Sequence, residues 1–353
     1  MRILLWQNVI SKHQKDLIEE IFKQNHGNVA VIYCNTLPEN RENIGWNEII
    51  YKDVETYFLS DLEKNKTIID FINSFDAHVF SGISSYPLLK RYFNYCKKNK
   101  KNIFLYSEDK NLSGIKGKLR YIFSIYETMK YKKDINGIFA IGVNGKNFFN
   151  KIGYDDSQII EFGYYIKVDN PNIYVNKKIN LVYVGELTDN KGVDIIISSL
   201  STIFNNENIN SLHIYGEGKY KEKLNKLSQK YNKKLFVHGN VSNDILMKRM
   251  NNYDYLLLLS KYDGWGVVIN EASLNACGII CTDKVGASHL LNNVDNCYII
   301  KQNVEQNFKK VIFNLKPLNT EDKLYLKNEA FNKFSVEKAA SRFLKEIKER
   351  ANK

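Results

Sequence analysis

Residues 253–278 read YDYLLLLSKYDGWGVVINEASLNACG. Residues 255–260 form a nearly continuous apolar run, the length of a strand buried on both faces of a parallel sheet. Asp263-Gly264-Trp265-Gly266 is a glycine-rich turn. Behind it Val267, Val268, Ile269, Ala272 and Ala276 recur at roughly helical spacing, and Gly278 is placed to cap the helix end. A strand feeding a glycine-rich loop feeding a helix suits a phosphate. The backbone comes close where there is no side chain, and the helix N-terminus offers unsatisfied N–H groups and a partial positive charge. Two acids, Asp263 and Glu271, bracket the helix start. Their spacing is slightly more than two turns, so they sit on related faces at different heights.

These residues resemble the donor-site signature of the retaining glycosyltransferases of family 4, of the glycosyl transferases group 1 type. That pattern is Glu-x7-Glu with Gly-aromatic-Gly after the first acid, closing on Ala-Cys-Gly or similar. Here it stands as Asp263-Gly264-Trp265-Gly266, Asn270-Glu271-Ala272 and Ala276-Cys277-Gly278. The first acid is Asp, one methylene shorter than the usual Glu. An ordinary buried strand–helix unit explains the apolar residues but not two acids and two glycines at these positions. The resemblance implies an α/β protein of the GT-B fold, with two Rossmann-like doubly wound parallel-sheet domains facing a central cleft. The expected division is an acceptor-binding domain over residues 1–170, a nucleotide-sugar-binding domain over 171–325, and a C-terminal helix within 326–353 that crosses back to the first domain.

The chain of 353 residues has room for two domains, and 44% hydrophobic residues fill two cores. The net charge of +12 points to an anionic partner or surface. It is concentrated: residues 90–133 hold 13 Lys and Arg against the three acids Glu108, Asp109 and Glu127. Within that segment Leu119, Ile122, Phe123 and Tyr126 mark an apolar helical face, and Lys116, Lys118 and Arg120 a basic edge. With residues 97–101 this reads either as a basic amphipathic surface for an anionic membrane or as a solvated lysine-rich face. The first reading resembles glycosyltransferases that act on lipid-linked acceptors. A nucleic-acid partner is suggested by charge alone, and no reader helix or aromatic-basic repeat supports it. Met1-Arg2 leads into only four apolar residues, far short of a secretory core. No apolar stretch approaches the ~18–20 residues that span a bilayer. The five cysteines have no metal-type spacing and read as reduced thiols. The expected location is cytoplasmic, peripheral at the inner face of the membrane.

In the first half, apolar runs at 3–6, 29–34, 78–82, 103–107 and 138–142 alternate with helical stretches, which implies a parallel sheet. Ligands bind beyond the carboxyl ends of such strands. After the first run His13 either reaches the acceptor or lies on the surface. After the fourth, Glu108 and Asp109 are candidates to orient or deprotonate an acceptor hydroxyl. His78 reads as a core histidine. Asp155-Asp156 resembles a metal-binding pair by composition only, and the resemblance requires no metal and no other cofactor.

A polar stretch over 168–178 marks the expected hinge. The strand at 179–184 then leads into Gly185-Glu186-Leu187-Thr188-Asp189-Asn190-Lys191-Gly192 and a helix over 193–204. This resembles the family's Gly-Arg-Leu-x3-Lys-Gly loop, whose Arg and Lys hold the donor diphosphate. Lys191 matches, and Glu186 stands where Arg is usual. Gly216 begins a tight turn that in relatives lines the nucleotide pocket. Asn240 and Val241 follow the strand at 235–237, where the backbone meets the nucleobase in relatives, and His238 reads as structural. Residues 283–288 form a small-residue turn near the donor.

The resemblance implies a glycosyltransferase of hexosyltransferase type using a UDP- or GDP-sugar and a glycan or lipid-linked acceptor in surface polysaccharide synthesis. Glu271 would hold the ribose, and Lys191 with the amides of Gly264, Gly266 and Val267 the diphosphate. Asp263 would touch a sugar hydroxyl, with Trp265 near the sugar and the cleft closing about the hinge. The alternative is a sugar-nucleotide binder with little transfer activity, which Glu186 and Asp263 favour.

Overall fold

The computed structural model describes residues 1–35, 50–65, 67–83, 87–110, 112–168 and 173–351. It divides into two compact units, Met1–Ile166 with Val336–Lys353, and Lys167–Ser335. The first unit is a seven-stranded sheet of β1 (Ile3–Gln7), β2 (Val29–Tyr33), β3 (Glu55–Phe58), β4 (Ala77–Phe80), β5 (Asn102–Ser107), β6 (Gly137–Ile141) and β7 (Ile159–Phe162). Their order is β3-β2-β1-β4-β5-β6-β7 and every pairing is parallel. Helices cover both faces of the central strands. All five residues of β1 are therefore buried, and the strand reads as an unbroken apolar run up to Gln7.

The second unit has six parallel strands: β8 (Ile179–Val184), β9 (Ile209–Tyr215), β10 (Leu235–Gly239), β11 (Tyr255–Leu258), β12 (Gly278–Thr282) and β13 (Cys297–Ile300). Their order is β10-β9-β8-β11-β12-β13. In both units the winding reverses beside the first strand, at β1/β4 and at β8/β11. The loops leaving those strands diverge there and open a crevice at the carboxyl edge of the sheet. The loops after β8 and β11 are 185–192 and 259–266, the two stretches the sequence singles out.

Three edge strands were not foreseen from apolar runs. β3 reads Glu-Thr-Tyr-Phe and none of its residues is fully buried. β7 and β13 each pair on one side only. An edge strand lacks the second apolar neighbour that makes a central strand conspicuous. The helix expected over 193–204 is two short helices, Val193–Ser198 and Leu200–Asn205, broken at the buried Ser199. The first unit ends at Ile166, and residues 169–172 of the expected hinge lie outside the described residues. The second unit runs past residue 325, because helix Thr320–Phe334 buries Lys323 against Asp254 of that unit. Helix Val336–Ala351 alone packs with the first unit, through Val336, Ala339, Ala340, Phe343, Leu344 and Ile347. Its Phe343 ring stacks on Phe139 of β6 at 4.4 Å.

Candidate active site

In the second unit the loop after β8 turns into helix Val193–Ser198 through Gly192, which has a left-handed backbone (φ 73°). A Cβ there would lie 2.2 Å from the Leu259 carbonyl oxygen, so only glycine lets this turn lean on the end of β11. The two loops are stitched together: the Lys261 amide donates to the Asn190 carbonyl (2.7 Å), and Asn190 Nδ2 to the Tyr262 carbonyl (3.1 Å). This contact brings Lys191 to Asp263, with Nζ 2.6 Å from Oδ2. Both side chains keep part of their surface, 24% and 18%, so the pair faces solvent at the switch point.

The 263–266 turn is braced from beneath. Asp263 forms an isolated parallel bridge with Val285, and the Gly286 amide donates to the Asp263 carbonyl at 3.0 Å. A Cβ on Gly286 would meet the Gly264 carbonyl oxygen at 1.9 Å, which explains the small-residue turn at 283–288. Gly264 and Val267 remain half-buried and Gly266 is the N-cap of helix Val267–Leu274. The Val267 and Val268 amides at the start of that helix lack intrahelical acceptors by geometry, while the Ile269 amide already donates to the Gly266 carbonyl at 2.8 Å.

Trp265 departs from expectation. It is 2% exposed, and its Nε1–H donates to Asn270 Oδ1 at 3.0 Å. The indole is an anchor below the turn rather than a surface offered to a sugar, since a large ring with one donor buries well once that donor is satisfied. Glu271 sits on the same helix and is 9% exposed. Glu186 is exposed; its carbonyl accepts from Tyr183 Oη (2.7 Å), while Lys191 pairs with Asp263 instead of Glu186.

The turn starting at Gly216 locks onto the same loop. The Leu187 amide donates to the Glu217 carbonyl (2.7 Å), and Lys219 Nζ and Tyr220 Oη both donate to Asp189. The Lys219 bond, before that of Tyr220, holds the Asp189 carboxyl below its ordinary range. The Gly216 amide donates to the Gly239 carbonyl at 2.9 Å, which places Asn240 and Val241 beside this turn. His238 is structural in a way the sequence did not signal. Its ring stacks on Tyr215 at 4.4 Å, its Nε2 lies 2.9 Å from His213 Nδ1, and Tyr215 Oη meets Tyr253 Oη at 2.6 Å. Burial pushes His213 down to about 4 and lowers His238, so neutral rings form this ladder.

In the first unit Tyr164, just beyond β7, donates to Glu108 Oε1 at 2.7 Å and its ring lies 5.8 Å from that of His13. Two of the three acceptor-side candidates, His13 and Glu108, are thus gathered around Tyr164, a residue that no sequence pattern marks. Asp109 is half-buried next to Glu108. His78 is fully buried and accepts from Trp6 Nε1 at 3.3 Å. Asp155 pairs with Lys132 (2.8 Å), and Asp156 accepts from Asn150 Nδ2 (2.9 Å).

The basic segment is less free than its composition suggests. Lys97 pairs with Asp134, Lys101 donates to the Asn73 carbonyl, and Lys110 pairs with Glu127. Helix Gly114–Tyr131 nevertheless turns a large apolar face outward. Ile115 and Met129 are 81% and 83% exposed, and Leu119, Ile122, Phe123 and Tyr126 lie between them on the open side. Among the described residues no helix is long and apolar enough to cross a membrane.

Two parallel-sheet Rossmann-like units, with a lysine and an acid meeting at a switch point, define the class: this is the GT-B architecture. Residues 168–331, nearly the whole second unit, match the family model for glycosyl transferases group 1. A curated relative, the poly(ribitol-phosphate) alpha-N-acetylglucosaminyltransferase of Staphylococcus aureus (strain COL), is 24% identical over 152 residues. The match spans 42% of this chain and 30% of that protein's length. Among solved structures, HepE of Anabaena in complex with UDP superposes with a TM-score of 0.73 at 13% identity, over 99% of this chain and 100% of the other. The pneumococcal O-GlcNAc transferase GtfA, solved with UDP and GlcNAc, gives 0.68 at 11% identity over 100% and 99%. At these identities the superpositions speak to fold.

Proposed function

We propose that the protein is a retaining glycosyltransferase that moves a sugar from a UDP- or GDP-sugar to a glycan or lipid-linked glycan acceptor in surface polysaccharide synthesis. The observation that carries this reading is the Lys191–Asp263 pair at the switch point of the second unit. The complexes of HepE and GtfA with UDP favour a uridine donor. Lys191 and the first-turn amides after Gly266 hold the diphosphate and stabilise the charge that develops as it leaves. Glu271 takes the ribose hydroxyls. Asp263 takes a hydroxyl of the sugar and, through its ion pair, aims Lys191. The bond from the anomeric carbon to the phosphate oxygen breaks, and the acceptor oxygen bonds to the same face of that carbon. The acceptor proton leaves with the nucleoside diphosphate, so no protein nucleophile is needed. In the first unit Glu108, His13 and Tyr164 orient the acceptor hydroxyl.

The outward apolar face of helix Gly114–Tyr131, flanked by exposed Lys116, Lys118, Arg120 and Lys130, supports docking on an anionic bilayer. Each such cation contributes about 1 kcal/mol near that surface. The expected place is the inner face of the membrane, where lipid-linked acceptors are presented.

The second reading, a sugar-nucleotide binder with little turnover, draws on Glu186 at the usual arginine position and on the engagement of Lys191 by a carboxylate. A thermal-shift panel of UDP- and GDP-sugars, followed by donor turnover, separates them. A ligand at ~100 times its dissociation constant stabilises by about 2.7 kcal/mol. A shift that Glu271→Ala abolishes, with sugar transfer to added glycan, supports transfer. A shift with no transfer or donor hydrolysis supports binding alone, and no shift with any nucleotide sugar removes both.

A further inference from the structure

A small pocket in the first unit has no role in the steps above. It lies beyond the carboxyl ends of β4 and β5, under helix Gly114–Tyr131, with a volume of about 40 Å³. At ~10–15 Å³ per water-sized group, that is room for roughly three heavy atoms. Its polar wall is Glu127, Lys110 and Ser124, and Ile83, Leu105 and Phe148 supply an apolar wall. Lys110 Nζ lies 3.4 Å from Glu127 Oε2 and donates to Ser124 Oγ at 3.1 Å. The Glu127 side chain is only 8% exposed, and its other oxygen, Oε1, has no hydrogen-bond partner among the described residues. A carboxylate oxygen desolvated without a donor is costly, which marks Glu127 as a strong acceptor in the wall of this pocket.

The charges restrict what that donor is. Lys110 already neutralises Glu127 and would repel a second cation, while Glu127 and Glu108, which also lines the pocket, repel an anion. A neutral group that both donates and accepts remains, with a short apolar stem for the Ile83 side. We propose that this pocket recognises a hydroxymethyl arm of the acceptor, its O–H donating to the Glu127 carboxylate and its oxygen accepting from Lys110. This rests on the reading of the first unit as the acceptor side, and it makes Glu127 a specificity-determining residue. Glu108 is shared between the pocket and the Tyr164 hydrogen bond, so an arm seated here would set the adjoining part of the same sugar against the His13–Tyr164–Glu108 cluster.

The test is saturation-transfer NMR on the full chain with methyl hexosides of gluco, galacto and 2-acetamido-gluco configuration, each beside its 6-deoxy counterpart. At least one hydroxylated probe is expected to show strongest saturation at its C6 methylene and to bind about tenfold more tightly than its deoxy partner. Glu127→Gln and Ile83→Phe, which narrows the apolar wall and leaves the ion pair, should each remove that difference. UDP binding, measured in parallel, should not change. Equal binding of hydroxy and deoxy probes, binding untouched by both variants, or no probe binding to a protein that still binds UDP overturns the pocket and leaves the donor assignment standing. Loss of UDP binding by the wild type sinks the transferase reading instead. Should Glu127→Gln fail to fold, Ile83→Phe and the deoxy comparison decide.

Discussion

Lys191 Nζ and Asp263 Oδ2 lie 2.6 Å apart, although 72 residues separate them in the chain. The pair exists because two loops leave neighbouring strands, β8 and β11, at the point where the sheet reverses its winding. It has two consequences for a diphosphate ligand. The carboxylate holds the ammonium in place, and it also competes for it. Replacing Asp263 by Asn keeps the shape and removes the competition. For a partly exposed pair the competition amounts to about 0.2–1 kcal/mol. Asp263→Asn is therefore expected to bind UDP as tightly as the wild type or a few-fold tighter by calorimetry. Its turnover should fall about 10- to 100-fold, the cost of a charged hydrogen bond to the sugar. A tenfold loss of UDP affinity would show that Asp263 belongs to the phosphate cradle itself.

The face of helix Gly114–Tyr131 makes an independent prediction. Leu119 and Ile122 are 63% and 64% exposed, so converting them to Glu costs the fold little. It places two carboxylates where acyl chains would be. Leu119→Glu/Ile122→Glu should lose at least tenfold in co-sedimentation with vesicles containing anionic lipid. Wild-type binding should weaken as salt rises through the range in which the Debye length falls below ~10 Å. Unchanged sedimentation, or equal binding to neutral vesicles, would mean that the face serves something other than a charged bilayer.

The central strands and the donor loops were legible because they combine two unusual things, an uninterrupted apolar run and a glycine-acid turn at its carboxyl end. β11 and the 263–266 turn are the plainest case. The acceptor side was less legible. Tyr164 follows a short edge strand, β7, whose Ile-Ile-Glu-Phe run is interrupted by a charge. It meets Glu108 across 56 positions that no local pattern connects. Trp265 misled for the opposite reason. Its place between two glycines resembles a ligand-facing aromatic, yet Asn270, five residues on, satisfies its N–H and lets it sink into the core. Composition cannot tell a free lysine from one that is already paired, and Lys97, Lys101, Lys110 and Lys132 are all engaged.

Buried histidines set an acid limit on stability, His78 and His213 most strongly. His78 Nδ1 accepts from Trp6 Nε1, and burial, with Lys101 nearby, lowers its pKa from 6.5 to about 3. Burial first, then His238, brings His213 down to about 4. In the unfolded chain both titrate near 6.5. Between that value and the folded values the unfolded state binds more protons, so stability is full above pH 6.5 and falls as the solution is acidified. The window from pH 7 to 5 isolates this effect, because most carboxylates titrate lower. Urea midpoints should fall across it. A His78→Met variant, which cannot titrate, should start about 1–3 kcal/mol lower because the Trp6 N–H loses its acceptor, and should show a shallower slope. An identical slope in the variant would mean that other groups carry the acid sensitivity.

Lys323 and Asp254 form an ion pair in which both side chains are 1% exposed, with Nζ 3.1 Å from Oδ1. Lys323 also donates to the Tyr253 carbonyl at 3.0 Å, and Asp254 Oδ2 accepts from the Asn180 amide at 2.8 Å. Helix Thr320–Phe334 begins at an Asn319–Asp322 capping box, which points this lysine at the amino end of β11, away from the loops at its other end. Desolvating two charges offsets most of their attraction, so the pair adds little net stability over an apolar equivalent, but removing one partner strands the other. Lys323→Met should therefore cost about 3–5 kcal/mol in urea unfolding, a large share of the 5–15 kcal/mol typical of a domain. Because the damage lies at the amino end of the strand, the protein that remains folded should bind UDP with unchanged affinity. A loss below about 1 kcal/mol would show that water reaches Asp254. A weakened UDP affinity at full folding would show that the amino end of β11 and its carboxyl loop are coupled.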